Sequence, residues 1–219
     1  NSNVTGETLT TSTASSITDN LTNLTGTNQV VVYTVTPTSA AGCVGDPYTV
    51  TVTIEPEPVG VDPSPLTCSD VTLNVSLDPT TATLLGDSFS WVAADNSNVT
   101  GETLTTSTAS SITDNLTNLT GTNQVVVYTV TPTSAAGCVG DPYTVTVTVE
   151  PEPVGVDPSP LTCSDVALNV SLDPTTANLT GDSFSWVAAD NSNVTGETLT
   201  ISTASSITDN LTNLTGTNQ

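Results

Sequence analysis

Lysine, arginine, histidine and methionine are all absent from this 219-residue chain, and only 4% of it is aromatic. Each absence removes a class of function. Binding to a nucleic-acid backbone requires cationic side chains to neutralise phosphates, so nucleic acid is excluded as a partner. An acidic membrane surface would repel the 22 Asp and Glu residues, which set a formal net charge of -22. Without His, Lys or Arg there is no Ser-His-Asp arrangement, no Schiff-base lysine and no arginine clamp. A lysine–asparagine isopeptide brace is ruled out in the same way, and trypsin has no cleavage site. No stretch approaches the ~20 apolar residues of a membrane helix, and no signal-peptide pattern occurs, so sorting signals are expected outside the 219 residues.

What the chain does contain is a repeat. The segment NSNVTGETLT begins at Asn1, Asn96 and Asn191, a period of 95 residues. Residues 1–124 and 96–219 differ at five aligned pairs: Ile54/Val149, Thr72/Ala167, Thr83/Asn178, Leu85/Thr180 and Thr106/Ile201. A unit of this size matches one domain.

Alternating residues identify strands, because every second side chain of a strand faces one side of a sheet. Tyr143, Val145, Val147 and Val149 alternate with threonines, and Val71, Leu73, Val75 and Leu77 with Thr72, Asn74 and Ser76. Phe89, Trp91 and Ala93 form a third inward set and Val126, Tyr128 and Val130 a fourth, with Ile112, Leu116 and Leu119 expected to close the core. β-Branched residues dominate, and helix is disfavoured throughout. Turn chemistry separates the runs at Asp78-Pro79, Gly86-Asp87, Asp95-Asn96, Gly121-Thr122-Asn123 and between Pro132 and Pro142. Short strands at this spacing predict an all-β fold of tandem Ig-like β-sandwich domains, with Trp91 inward as core filler on the third strand.

Proline concentrates at Glu55-Pro56-Glu57-Pro58 and Glu150-Pro151-Glu152-Pro153. Alternating prolines predict extended, semi-rigid joints. Residues 56–150 then form one complete repeat. Residues 1–55 form the C-terminal part of the preceding repeat, and residues 151–219 the N-terminal part of the next. The ragged ends are expected of a window from a longer repetitive chain.

Leu66-Thr67-Cys68, Ser88-Phe89-Ser90-Trp91, Val127-Tyr128-Thr129-Val130-Thr131-Pro132-Thr133, Gly137-Cys138-Val139-Gly140 and Tyr143 to Val149 recur in one order. This series resembles the PKD-like repeat domains of giant cell-surface adhesins of Bacteroidota, including gliding-motility adhesins. It departs from the PKD pattern in having Trp91-Val92-Ala93-Ala94 where a Trp-Asp-Phe-Gly-Asp-Gly run would stand. The resemblance implies surface display, length and adhesion, and carries no catalytic or binding residue.

Four cysteines, two per period, suit an oxidising extracellular setting. One bond per domain would join Cys68 to Cys138 and leave Cys43 and Cys163 to pair outside the fragment. The rival arrangement crosses each linker, Cys43 with Cys68 and Cys138 with Cys163. The acids Glu57, Asp62, Asp70, Asp78, Asp87, Asp95, Glu102, Asp114, Asp141 and Glu150 sit mainly at turns and linkers, where a solvated turn residue is the simplest reading. Carboxylate pairs remain chemically open as in glycoside hydrolysis, but near-identical repetition argues for a mechanical role rather than many active sites. Calcium is the one ion whose chemistry suits the chain, with Glu57, Asp62, Asp141 and Glu152 as candidate ligands, and no cofactor is expected otherwise. Twelve Asn-x-Ser/Thr triplets, at Asn3, Asn20, Asn23, Asn74, Asn98, Asn115, Asn118, Asn169, Asn178, Asn193, Asn210 and Asn213, are candidate glycosylation sites.

Three functions follow from these features. The first is the non-enzymatic structural repeat shaft of an extracellular cell-surface adhesin or fibre, holding an adhesive tip away from the cell, with neighbouring identical repeats as its partners. The second is a subunit of a polymerised extracellular filament, in which other copies of the chain complete the partial domains by strand complementation. The third and weakest is a carbohydrate-binding module, because only two Trp, two Phe and four Tyr are available for an aromatic platform. None inserts directly into a membrane.

Overall fold

A computed structural model describes residues 1–77, 88–155, 159–172 and 183–219. The expected turns at Asp78-Pro79 and Gly86-Asp87, and the triplet at Asn178, lie outside these residues. Every regular element among the described residues is a β-strand. The first copy holds β1 (Val4–Thr5), β2 (Thr22–Asn23), β3 (Gln29–Val35) and β4 (Tyr48–Ile54). The second holds β5 (Leu66–Cys68), β6 (Val75–Ser76), β7 (Ser88–Ala93), β8 (Val99–Thr100), β9 (Ser111–Ile112), β10 (Thr117–Asn118), β11 (Gln124–Thr133) and β12 (Tyr143–Glu150). The third holds β13 (Val166–Ala167), β14 (Val170–Ser171), β15 (Val194–Thr195), β16 (Ser206–Ile207) and β17 (Asn210–Asn213). By contact the chain divides into residues 1–117 with 125–149, and residues 118–124 with 150–219.

In the first unit, the complete sandwich of the second copy is built on a four-stranded sheet of order β5-β12-β11-β7. β11 and β7 are antiparallel, with Tyr128 opposite Ala93 and Val130 opposite Trp91. The Thr146 and Thr148 amides donate to the Pro63 and Pro65 carbonyls at 3.0 Å each. Both positions advance together, so the segment leading into β5 runs parallel to β12. A facing layer forms where residues 70–77 run antiparallel to 110–116, with Val75 opposite Ile112 and the Leu73 amide donating to the Asp114 carbonyl at 2.9 Å.

Period-two patterning is what fills the space between the layers. Val126, Tyr128 and Val130 from β11 and Val145, Val147 and Val149 from β12 are fully buried, and Phe89, Trp91, Ala93, Leu73, Leu77, Ile112 and Leu116 complete the core. At ~25 cal/mol per Å² of apolar surface, each fully buried Val or Leu contributes about 1.5–3 kcal/mol before conformational entropy is charged against it. Trp91 meets Tyr128 edge to face at 5.7 Å, and its Nε1 donates to the Ala109 carbonyl at 2.9 Å, so the inward filler role holds.

Two expected core residues are exposed. Val71 sits where the pairing with residues 110–116 starts, in the turn whose amide bonds back to Cys68 and next to Asp70 at φ 60°. Leu119 follows the alternation set by Leu116 and Asn118, both inward, and is therefore outward. Tyr143 is half-buried, with its hydroxyl donating to the Leu77 carbonyl at 3.2 Å.

The first copy contributes the β3–β4 hairpin, registered from Gln29 opposite Ile54 to Val35 opposite Tyr48. In the second unit the third copy repeats the pairing of the second: Val170 faces Ile207, Val166 faces Leu211, and β17 also pairs with β15.

Candidate functional site

With no cationic side chain available, a carboxylate in this chain can be satisfied only by backbone N–H groups, hydroxyls, side-chain amides or the N-terminal amine. Asp114 shows how this is met. Its Oδ1 accepts from the Thr103 hydroxyl at 2.7 Å, and its Oδ2 accepts from the Thr103 amide and from the Tyr128 hydroxyl at 2.8 Å each. Burial, then the bond to Asp114, pushes the Tyr128 phenol far above its ordinary range. The first copy repeats the latch: Asp19 takes the Thr8 amide and hydroxyl at 2.7 and 2.5 Å and the Tyr33 hydroxyl at 2.7 Å. There the Thr8 hydroxyl, followed by the Tyr33 hydroxyl, holds the Asp19 carboxyl below its usual value, and the bond to Asp19 pushes Tyr33 up to about 12. In the third copy Asp209 accepts from the Thr198 amide and hydroxyl at 2.9 and 2.5 Å.

These aspartates are therefore anchors that tie the 103-region loop to the core strands, and the reading of Asp114 as a solvated turn residue is corrected. Asp70 likewise accepts from the Thr117 hydroxyl at 2.5 Å, Asp62 from the Thr144 amide at 2.8 Å, and Glu102 from the Asn96 amide at 3.2 Å.

A second arrangement lies where the first copy runs into the second, within the first unit. Pro56 and Pro58 are fully buried. A Cβ on Gly140 would stand 2.0 Å from the Pro58 carbonyl oxygen, and one on Gly60 would stand 2.0 Å from the Tyr143 ring. Only glycine permits that approach. The Ser134 hydroxyl donates to Glu55 Oε2 at 3.2 Å and accepts from the Cys138 amide at 3.2 Å. The linker prolines are thus packed against the following domain, and the connection between β11 and β12 forms its seat.

Cys43, Cys68 and Cys163 are exposed and Cys138 half-buried, all four as free thiols. Cys138 precedes β12 while Cys68 ends the strand that runs alongside it, so the length of β12 separates them. Eight residues at ~3.3 Å is about 26 Å, far beyond the ~7 Å limit for Cα atoms of a disulfide. The fold does not bring that expected pair together. Glu57, Asp62, Asp141 and Glu152 are all exposed, and among the described residues no three Asp, Glu, Cys or His side chains gather as a metal site requires.

The glycosylation candidates divide into two groups. Asn3, Asn20, Asn74, Asn98, Asn115, Asn169, Asn193 and Asn210 are exposed. Asn23, Asn118 and Asn213 instead close turns: each Nδ2 donates to a carbonyl four residues on at 2.8 Å, and each Oδ1 accepts from the amide two residues on at 2.9 Å. Their amide nitrogens are engaged in the fold.

A family model for the PKD-like domain matches residues 1–58, 66–153 and 161–219, three times in tandem and across most of the chain. The chain belongs to the PKD-like domain family. No curated protein matches it. PKD-like domains usually occur in extracellular proteins, commonly as structural units, and are generally non-catalytic. No helix among the described residues is long and apolar enough to cross a membrane. In these PKD-like repeats the aromatic residue best suited to a sugar platform, Trp91, lies in the core.

Sequence reasoning missed the latch and the seat. Thr103, Asp114 and Tyr128 recur at fixed offsets, but so does every residue of a near-identical repeat, which leaves spacing without power to single them out. Gly60 and Gly140 read as ordinary loop glycines until the chain is folded.

Proposed function

We propose that the chain is part of the structural shaft of an extracellular cell-surface adhesin or fibre, non-catalytic, with stacked repeats that hold an adhesive tip away from the cell. The observation that carries this reading is the joint. A flexible tether would leave its linker solvated, whereas here Pro56 and Pro58 are buried and Gly60 and Gly140 accept contacts that no other residue allows. Burying the linker restricts rotation between the first and second copies, as a shaft requires. The uniform negative field, unbroken by any cation, keeps parallel rods apart in solution. Aggregation at sheet edges is opposed by the same charge and by Pro63 and Pro65 on the segment leading into the short edge strand β5.

Electron microscopy of the native assembly tests the reading. An eight-residue strand spans about 26 Å, so a domain with its joint should repeat axially at roughly 40 Å. A thread one domain wide with that spacing supports the shaft. A thicker helical fibre with several chains per cross-section would replace it with the polymerised filament, and flexible beads at irregular spacing would refute the rigid joint.

A further inference from the structure

We infer that the two cysteines of each repeat join consecutive repeats: Cys68 of one repeat forms a disulfide with the Cys138 equivalent of the repeat that follows. The inference rests on the end-to-end continuation of the 95-residue period and is independent of what the assembly adheres to.

Each cysteine marks one end of the domain. The chain enters the second copy through Glu55 to Gly60, and Cys138 belongs to the loop that receives it: its amide donates to Ser134 Oγ at 3.2 Å, and that hydroxyl donates to Glu55 at 3.2 Å. Cys68 stands at the opposite end. Pro63 and Pro65 pair with Thr146 and Thr148, so three residues beyond Pro65 the chain has drawn level with Glu150 and the end of β12, where it leaves the domain. The loop holding Cys43 has the same construction as the loop holding Cys138, with the Cys43 amide donating to Ser39 Oγ at 3.1 Å.

The joint between the first and second copies shows what these placements imply. Glu55 follows β4 as Glu150 ends β12, one period apart. By the same pairing a cysteine of the Cys68 kind in the first copy would stand beside Glu55, and Glu55 is linked through the single Ser134 side chain to Cys138. Repetition of this construction brings the leaving-end thiol of one repeat to the entering-end thiol of the next. Neither alternative does this: Cys68 and Cys138 of one domain are separated by β12, and Cys43 and Cys68 occupy the entering end of one repeat and the leaving end of the next. Within residues 1–219 no leaving-end cysteine is followed by the entering-end cysteine of the next repeat, since 138 plus 95 exceeds 219 and 68 minus 95 falls before residue 1.

Bond formation releases two protons and two electrons from the two thiols, and the acceptor is a small-molecule or protein disulfide that is itself reduced to two thiols by exchange. In the 219-residue chain incubated with oxidised glutathione and then desalted, all four cysteines should remain unjoined to one another. In a chain lengthened by a second copy of residues 125–219, one intramolecular bond should form, read as a mass lower by two hydrogens and the loss of two thiols from six. Cys68→Ser should abolish it. Cys43→Ser, Cys138→Ser and Cys163→Ser should leave it intact, because the partner is the Cys138 equivalent of the appended copy. Tryptophan fluorescence and urea midpoint, measured on each variant, separate a lost bond from a lost fold. Six free thiols in the folded lengthened chain, or a bond that survives Cys68→Ser, would overturn the inference while leaving the rod-like shaft to be judged by microscopy.

Discussion

The latch between Asp114 and Tyr128 yields the sharpest prediction about stability. Tyr128→Phe deletes one hydroxyl from a fully buried side chain and keeps the ring that packs against Trp91. The lost bond is 2.8 Å long and runs to a carboxylate, a class worth about 1.5–3 kcal/mol. Asp114 is half-exposed and retains both Thr103 contacts, so water can replace the phenol, and the cost should fall near the lower bound, ~1.5 kcal/mol. Asp114→Ala is the harsher change. It orphans the Tyr128 hydroxyl in the core and removes the acceptor for the Thr103 amide, two unsatisfied groups at about 1–3 kcal/mol each, for a total of ~3 kcal/mol or more. The double variant should be more stable than Asp114→Ala, because Tyr128→Phe removes the hydroxyl that Asp114→Ala leaves unsatisfied in the core. Urea unfolding in a Trp186→Phe background, followed by Trp91 fluorescence, reads each value from the shift in midpoint at constant slope. A Tyr128→Phe chain within ~0.5 kcal/mol of its parent, or an Asp114→Ala chain no worse than Tyr128→Phe, would refute the latch as a stabilising device.

Other perturbations probe other parts of the chain. Gly140→Ala places a methyl 2.0 Å from the Pro58 carbonyl, so the linker must shift; a loss of about 1–3 kcal/mol and a lower melting temperature are expected, and an unchanged melt would show that the linker is not seated there. Alkaline titration should weaken the fold: the Tyr128 phenol is raised in the folded state, so its stabilisation is complete below the unfolded value of ~10 and declines as pH rises beyond it, a decline that Tyr128→Phe should blunt. The Asp19 carboxyl, lowered in the folded state, should act in the opposite sense, with its contribution present above the unfolded carboxyl range of ~4 and lost as acid is added, as NMR titration of that carboxyl would read directly. Trypsin should leave the chain uncut even in urea, whereas a protease cleaving after glutamate should cut the unfolded chain quickly and the native chain slowly at Glu102, which accepts from the Asn96 amide.

Much of the core was legible before folding because strands report themselves through a period of two. Val145, Val147 and Val149 needed only their alternation with threonine to be placed inward, and Trp91 needed only its place between Phe89 and Ala93. Val71 escaped the same rule because alternation says nothing about the left-handed turn at Asp70 where its pairing starts, whereas Leu119 obeys it, outward next to the inward Asn118. Asp114 escaped because an aspartate near a turn looks alike whether solvent or a buried tyrosine answers it. Asn118 was equally opaque: its Asn-Leu-Thr triplet reads as a glycan acceptor, and only the fold shows its Nδ2 donating to the Thr122 carbonyl.

The sequence by itself determined the period, the all-β class, the negative field and the exclusion of every chemistry that needs a cationic side chain, since composition and repetition survive any arrangement in space. Tertiary structure alone decided which acids are anchors, which asparagines are clasps and which end of the domain each cysteine occupies. The ends that the cysteines occupy are long-range facts. They depend on β5 being led in parallel to β12 and on a loop at residues 134–140 folding back on Glu55, pairings between residues some 80 apart that no local pattern of side chains encodes.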